Sequence, residues 1–569
     1  MTPGLGAAAG ARAPSETLAE DGGPARPTPF ETLYDCFAAT AAAHPDNAFL
    51  CAPARAGRAY LPGGVEWTYG AAKAAVDALA ERYAAAGWGP GHRVALALDN
   101  HPAHFLHFLA LNRIGAGEAA VNPHYLLDEM QYFLGHSEAA LAVASPWNVE
   151  KIRAAAQDLP IVEWDDASTA EGFAPPPPPH EKREEAPGPA TEAALFYTSG
   201  TTARPKGCII DNAYILGGGA WYRDTGGGLA LRPGEERVYN PLPAFHMNGG
   251  AVTPCAMMLT ANCLILPDRF HAESWWDDLA ATRATGMHYL GIIPPVLMKA
   301  APSPRDRAHG VRFGLGAGID PSLHLAFEER FGIKMVEVWG MTETGRCYAA
   351  AHEPRQVATR AFGAPYRCLE AIVADDAGNE VARGVEGELL VRSPGPDPRR
   401  FFFRGYLKNP EATEEAWRGG WFHTGDVVTQ DERGMLHFVE RAKNIIRRSG
   451  ENISAAEVEA ALIEHPAIRQ VAVMAVEDEL RDEEVFACLV PFEGGASDRA
   501  AAEEALAFAA DRLAYYKVPG WAAWMDALPV TGTNKIQKHA IFGKGSDPRR
   551  DPRALDLRDE KAALRRRRA

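Results

Sequence analysis

The chain contains no run of about eighteen uninterrupted apolar residues, so no segment reads as a membrane-spanning helix. Positive charge is in deficit: 58 Lys and Arg face 74 Asp and Glu, a formal net charge of -16. Nucleic-acid backbones are held by concentrated cations, so a large nucleic-acid footprint is not expected. Cysteine is sparse and scattered, eight in 569 residues, with no CxxC pair and no His/Cys spacing that would close a zinc site. Such thiols fit a reducing, cytoplasmic compartment. Nothing repeats at a fixed period, which argues against a solenoid or propeller. Residues 1–29 lack the basic start and apolar run of a secretory signal, and their Ala/Gly/Pro content reads as disorder.

What is present is enough for more than one core. At 569 residues and 47% hydrophobic composition, two or more domains are expected. Apolar residues at helical spacing mark Glu31 to Ala43, and an Ala-rich helix is predicted from Tyr69 to Ala86, ending at Gly87. A β-type run follows from Arg93 to Leu98, then an apolar helix from His104 to Ile114. This alternation predicts a layered α/β fold. Pro175 to Pro179 read as an exposed polyproline excursion. Near Glu440 the character changes. A Ser454/Glu457 capping box opens a helix from Ala455 to Glu464. Two β-type runs, Val471 to Val476 and Val485 to Val490, and a helix around Ala501 to Leu513 complete a small α+β block. The expected division is a large domain over 30–440, a small one over 441–541, and a basic polar tail over 542–569. The arginines from Arg565 to Arg568 read there as a frayed solubilising end.

The most informative stretch is Tyr197-Thr198-Ser199-Gly200-Thr201-Thr202-Ala203-Arg204-Pro205-Lys206-Gly207, after the β-type run Ala193 to Phe196. Five hydroxyl side chains, two glycines and a lysine in eleven residues suit a polyphosphate. Glycine lets backbone N–H groups approach the oxygens, hydroxyls add donors, and Lys206 adds charge. No Gly-Lys-Ser/Thr leads into a helix, so this is not the P-loop of nucleoside triphosphatases. A polar turn after a strand would explain the glycines but not the hydroxyls together with Pro-Lys-Gly.

This loop resembles the signature of the adenylate-forming superfamily: acyl-CoA synthetases, luciferases and adenylation domains of peptide synthetases. The resemblance runs from about Phe30 to Lys538, with further motifs in order. Phe245-His246-Met247-Asn248, the stretch Arg447 to Asn452 and the ending Asn534-Lys535-Ile536-Gln537-Lys538 are most similar to the crotonobetaine/carnitine-CoA ligase branch. The fold it implies is a large N-terminal domain of layered α/β subdomains with a small mobile α+β C-terminal domain. In Val338-Trp339-Gly340-Met341-Thr342-Glu343 the resemblance puts Trp339 against adenine, Thr342 on a phosphate oxygen and Glu343 on Mg2+, with Thr201 as its companion. Trp339 stands where many relatives carry Tyr. Gly316, Ala317 and Gly318 line the adenine and acyl pockets, and Asp426 and Arg441 hold the ribose. Lys535 bridges substrate carboxylate and α-phosphate, where removing one stabilising donor costs about a hundredfold to a thousandfold. Asn534 replaces the usual glycine before it. Lys443 falls at the hinge, and Ser449, Gly450, Glu451 and Asn452 belong to the loop used for thioester formation. His246 packs beside the substrate carboxylate, which is already ionised and needs no base. Met247, Asn248, His288, Tyr289, Gly291 and Arg346 are further acyl-pocket candidates, and their polarity hints at a polar or functionalised acid.

The implied activity is ATP-dependent conversion of a small carboxylic acid to its acyl-adenylate, with Mg2+, followed by transfer to coenzyme A. Delivery to a carrier protein or an amine, a luciferase-like oxygenation and a non-catalytic nucleotide sensor are the other readings. An amino acid is disfavoured as substrate, because no aspartate stands between Tyr239 and Gly250 to meet an ammonium. The partners expected are therefore the acid, ATP and CoA, with no nucleic acid and no membrane span; a homodimer is left open.

Overall fold

The computed structural model describes residues 28–198, 204–291, 293–366, 368–375, 377–441, 445–529, 536, 538, 541–543 and 546–568. Among these residues, four sheets organise the chain. A seven-stranded sheet has its parallel centre in Gly117–Ala120, Arg93–Ala97 and Leu141–Ala144, joined by the expected helix Pro102–Arg113 and by a further helix, Leu127–Ser137. Helix Tyr69–Ala85 is capped by Thr68, whose hydroxyl accepts from the Ala71 N–H, and Pro102 opens helix Pro102–Arg113. An eight-stranded sheet contains the parallel run Arg237–Tyr239, Gly286–Leu290, Phe313–Ala317 and Lys334–Trp339. Buried on both faces, such strands carry near-continuous apolar residues, and a single core joins the two sheets through Phe37, Phe49, Tyr69 and Phe105. A five-stranded antiparallel sheet holds Phe422–Gln430 and Leu436–Arg441.

The fourth sheet, six-stranded, begins at Ile445–Arg448 and contains the long hairpin Ile468–Asp478 and Asp482–Pro491. It packs against helices Ala455–Leu462 and Arg499–Ala510 over its own core of Val458, Leu462, Val473 and Leu506.

Two expectations are corrected. The proline run is half-buried on the large domain rather than free in solvent: the Trp88 indole N–H donates to the Pro176 carbonyl at 2.8 Å. A buried indole needs an acceptor, and the run supplies one. Nor is the basic end frayed. Strand Ala554–Asp556 pairs with Trp521–Trp524, and helix Arg558–Arg568 follows. Leu557 is fully buried in the small-domain core and Leu564 packs against it, so a few leucines anchor a segment whose composition is dominated by charge.

Candidate active site

The Ser/Thr/Gly-rich loop springs from a hairpin. Strands Glu192–Thr198 and Lys206–Asp211 are antiparallel, with Thr198 opposite Lys206, so the hydroxyl and the ammonium flank the base of the loop. Ser199, Gly200, Thr201 and Thr202 lie outside the described residues. The short strand Gly405–Tyr406 pairs along the other edge of the Lys206 strand. It brings the Lys206 ammonium 4.6 Å from the centre of the Tyr406 ring. The Tyr406 hydroxyl in turn donates to Glu343 Oε1 at 2.8 Å. Burial, and then the charge of Glu343, push the Tyr406 phenol far above its usual range, so it remains a donor. Tyr406 was missed in the sequence; the signal was the aromatic run Phe401-Phe402-Phe403 ahead of Arg404-Gly405-Tyr406.

Glu343 stands in the turn after strand Lys334–Trp339. The Thr344 N–H closes that turn on the Met341 carbonyl at 3.1 Å, and the Tyr214 hydroxyl holds the Thr342 carbonyl at 2.6 Å. Thr198, Lys206, Gly340, Met341, Thr342 and Glu343 all line one cavity of about 1660 Å³. Trp339 is buried, stacked on Tyr348 with ring centroids 5.7 Å apart, and its Nε1–H donates to Asp426 Oδ2 at 2.8 Å. The departure from Tyr thus has a local use: the indole N–H reaches the buried Asp426 carboxylate on another sheet. Asp426 is directly paired with Arg441 across the antiparallel strands.

Gly316, Ala317 and Val338 lie in the parallel strands beside this wall and Gly318 just past the end of one, but none is in the cavity lining. Their smallness serves strand approach: a Cβ on Gly316 would fall 2.2 Å from the Tyr289 carbonyl oxygen, and one on Gly291 2.3 Å from that of Gly318.

His246, Met247 and Asn248 line the cavity with Leu290 and Ile293. The other acyl candidates do not. His288 is fully buried; its Nδ1 bonds Asn248 Oδ1 at 2.9 Å and its Nε2 bonds the Tyr222 hydroxyl at 3.1 Å. Because an amide oxygen only accepts, His288 carries its proton on Nδ1, and burial holds its pKa down to about 3. It orients Asn248. Tyr289 is buried beneath the sheet, donating to Glu337 Oε1 at 2.5 Å. Arg346 is 1% exposed and points away from the cavity, with hydrogen bonds to the Cys368 carbonyl, the Ser393 hydroxyl (2.8 Å) and the Arg400 carbonyl (3.1 Å). It also lies over the Phe402 ring at 5.1 Å. Spacing next to the adenine motif suggested a pocket residue, but the left-handed Gly345 (φ 65°) turns the chain inward there.

The small domain closes the same cavity. Ser449, Gly450 and Glu451 line it, and Asn452 pairs with Arg447 in the hairpin that presents them. Gly450 has φ 88°, the left-handed region that favours glycine, and a Cβ there would also push against Leu290 Cδ1 at 2.2 Å across the domain contact. Glu451 Oε2 lies 4.0 Å from His246 Nε2. This is not an ion pair at neutral pH. Enclosure by protein holds His246 down to about 4, and burial, opposed by Lys517 and helped by Glu129, raises Glu451 to about 7.

Docking is held by a buried lysine that sequence reading missed. Lys517 Nζ bonds Glu457 Oε1 of the small domain and Glu129 Oε1 of the large domain, both at 2.6 Å. Lys443 and Lys535 lie outside the described residues. The neighbours of Lys535 are placed: Ile536 packs beside Val476 and Phe486, and Lys538, read as solvated, pairs with Glu459 at 2.6 Å. Neither lines the cavity. Nor does any of the eight cysteines, seven of them buried.

This geometry accords with the comparisons. The family profile described as "AMP-binding enzyme" matches residues 37–407, and "AMP-binding enzyme C-terminal domain" matches residues 457–535. The chain belongs to the AMP-binding enzyme family. This AMP-binding enzyme is 31% identical to the sulfoacetate–CoA ligase of Cupriavidus necator, over 90% of this chain and 97% of that one. It is 29% identical to the crotonobetaine/carnitine–CoA ligase of Proteus mirabilis, over 83% of this chain and 93% of that one. Its fold is that of the Bacillus subtilis o-succinylbenzoate CoA synthetase bound with its product analogue OSB-NCoA (TM-score 0.76, 22% identity, 89% and 98% of the two chains). The amide bond synthetase McbA from Marinactinospora thermotolerans is similar at TM-score 0.74 and 25% identity, over 89% and 98% of the two chains.

The residues present fit Mg2+. Glu343 is a hard oxygen donor lining the same cavity as Thr198 and Lys206, and this cation is commonly held by one or two carboxylates plus the phosphates of a nucleotide. Among the described residues no helix is long and apolar enough to cross a membrane.

Proposed function

We propose that this enzyme activates a small, polar carboxylic acid as its acyl-adenylate and transfers it to coenzyme A, and that the arrangement described is the thioester-forming one. The observation that carries this reading is the composition of the cavity wall. Ser449, Gly450 and Glu451 are in it, while the neighbours of Lys535 are packed on the small domain outside it. One pocket cannot hold both Lys535 and an incoming thiol, so the small domain has to rotate between the two steps about Lys443.

In the first step Lys206, Thr198 and the hydroxyls of the loop bind the triphosphate and Asp426 and Arg441 take the ribose; Glu343 would hold Mg2+, which would supply charge neutralisation at the phosphates. Lys535 stabilises the charge that concentrates as the carboxylate oxygen attacks the α-phosphorus and pyrophosphate leaves. In the second step the thiol sulfur attacks the acyl carbon and AMP leaves. His246 stays neutral and shapes the acyl end with Met247 and Asn248, whose amide is fixed by His288. The relatives named for sulfoacetate and crotonobetaine/carnitine support a short, charged or polar acid. The buried thiols support a reducing, cytoplasmic setting.

The test is a panel of short acids, assayed for acid-dependent exchange of labelled pyrophosphate into ATP and for acyl-CoA by mass spectrometry. The expected outcome is exchange and thioester with the same acid, with exchange abolished in Lys535→Ala. The McbA likeness favours one rival, so amines are included; amide formation with AMP release and no thioester would reject the ligase reading.

A further inference from the structure

The segment 546–568 lies beyond both family profiles, the second of which ends at 535. Its helix, Arg558–Arg568, is anchored by Leu564 against the core and by a buried lysine. Lys561 Nζ meets Glu484 Oε1 at 2.7 Å, and the other oxygen of that carboxylate takes Arg448 Nε at 2.8 Å. Lys561 and Glu484 side chains are 5% and 1% exposed. Arg448 immediately precedes Ser449, Gly450 and Glu451, so the helix is tied to the loop that closes the cavity.

One turn beyond Lys561, and so on the same face of the helix, stands Arg565. Its guanidinium lies 4.5 Å from the centre of the Tyr515 ring and lines the cavity together with His124, Lys151 and Arg269. These side chains gather around His124: burial, and then the charges of Lys151, Arg269 and Arg565, hold its imidazole below the usual value. Lys151 is aimed by a 2.7 Å hydrogen bond to the Pro123 carbonyl. Two carboxylates share this rim, and each is divided between a rim cation and other partners: Asp268 with Arg269, and Asp99 with the charge of Lys151. Asp268 meets Arg55 at 3.4 Å and His271 at 3.0 Å, with Arg269 at 3.9 Å, and Asp99 accepts from the Trp147 indole at 2.7 Å. Three cations that converge on a neutral imidazole in a cavity wall make a site for a multiply charged anion.

We propose that this rim binds the phosphorylated nucleotide end of the thiol donor, and that the C-terminal helix completes it by supplying Arg565. The inference rests on the reading of coenzyme A as acceptor. ATP has its own cradle at Lys206, Thr198 and Glu343, on different strands. Arg565 comes to the rim on the small domain, which in this orientation also presents Glu451. A phosphate clamp assembled by docking would therefore favour the thioester orientation once the thiol donor is bound.

The experiment compares wild-type enzyme with Arg565→Ala and Lys151→Ala in steady-state kinetics, using CoA, 3′-dephospho-CoA and pantetheine as acceptors. Each variant is expected to raise KM for CoA about tenfold, the size of one lost charge-assisted contact. KM for pantetheine and the rate of pyrophosphate exchange are expected to stay at wild-type values. Loss of the effect with dephospho-CoA assigns the rim to the 3′-phosphate; its persistence assigns the rim to the diphosphate. An equal loss with CoA and pantetheine, a raised KM for ATP or acid, or no change in either variant overturns the proposal. Wild-type exchange without thioester from any acceptor would overturn the coenzyme A reading itself, and the proposal with it.

Discussion

The wall of the cavity that carries Lys206 and Glu343 and the wall that carries Glu451 are built on different length scales. On the first, every important side chain is placed by a strand or turn within a few residues of its motif. Thr198 faces Lys206 across a hairpin, and Tyr406 joins them from the next strand. On the second, the loop's position depends on side chains that are remote in the chain: Lys517 reaches Glu129 across 388 residues. A local site is rigid because its sheet is rigid. A site assembled by ion contacts between domains can be taken apart without unfolding either one, which is what two successive reactions in one cavity require.

The sharpest way to break the comparison is Glu343→Gln. If Glu343 holds the cation as proposed, removing its carboxylate is expected to cut pyrophosphate exchange by at least about a hundredfold, with the fold intact by circular dichroism. A loss confined to thioester formation would mean the two walls are not functionally separate. Second in size is Glu129→Gln, which weakens docking while the small domain keeps its own Lys517–Glu457 pair. Replacing one charge-assisted hydrogen bond costs about 1.5–3 kcal/mol, so thioester formation from preformed acyl-adenylate should slow about tenfold to a hundredfold. Exchange should be unaffected, and parallel loss of both steps would refute the division.

The smallest effect is a pH dependence. The Glu451 carboxyl is raised from 4.5 to about 7, chiefly by burial, so the folded, docked protein binds more protons than the unfolded chain. Stability from this group is therefore fully present below about 4.5, falls as pH rises through 7, and is flat above. With partial solvent screening the slope should amount to about 1 kcal/mol, and Glu451→Gln should flatten it in melting curves taken from pH 5 to 8. An unchanged difference between the two proteins across that range would show that Glu451 is not buried on docking.

The same contrast explains what could be read in advance. Helices with clean periodicity, such as Tyr69–Ala85, fell within a residue of expectation, because cap and period are local. Lys206 and Glu343 also came together on one cavity, since each motif folds with its own strand, whereas Asp426 is buried behind the lining against Trp339. Tyr406 escaped notice because pairing of its two-residue strand beside Lys206 is not encoded in any spacing. Arg346 was misjudged because proximity in sequence to a motif says nothing of the direction in which a side chain leaves the backbone. Lys517 sits between Tyr516 and Val518 with no pattern around it, and its two carboxylates become visible only when the domains meet. The C-terminal helix was hidden by its arginines, which dominate composition but not packing.

The burial of the cysteines has a chemical consequence. An acyl-adenylate is an electrophile poised for sulfur, and any accessible protein thiol would compete with the acceptor and inactivate the enzyme by acylating itself. Cys208, opposite Tyr406 on the strand that carries Lys206, is fully buried and pushed well above the usual thiol range by burial and by Glu343, so it is held as an unreactive thiol facing the core. Cys255, Cys263 and Cys347 are shifted in the same direction. Chemoselectivity for the incoming thiol is thus secured as much by where the chain hides its own sulfur as by how it binds its substrates.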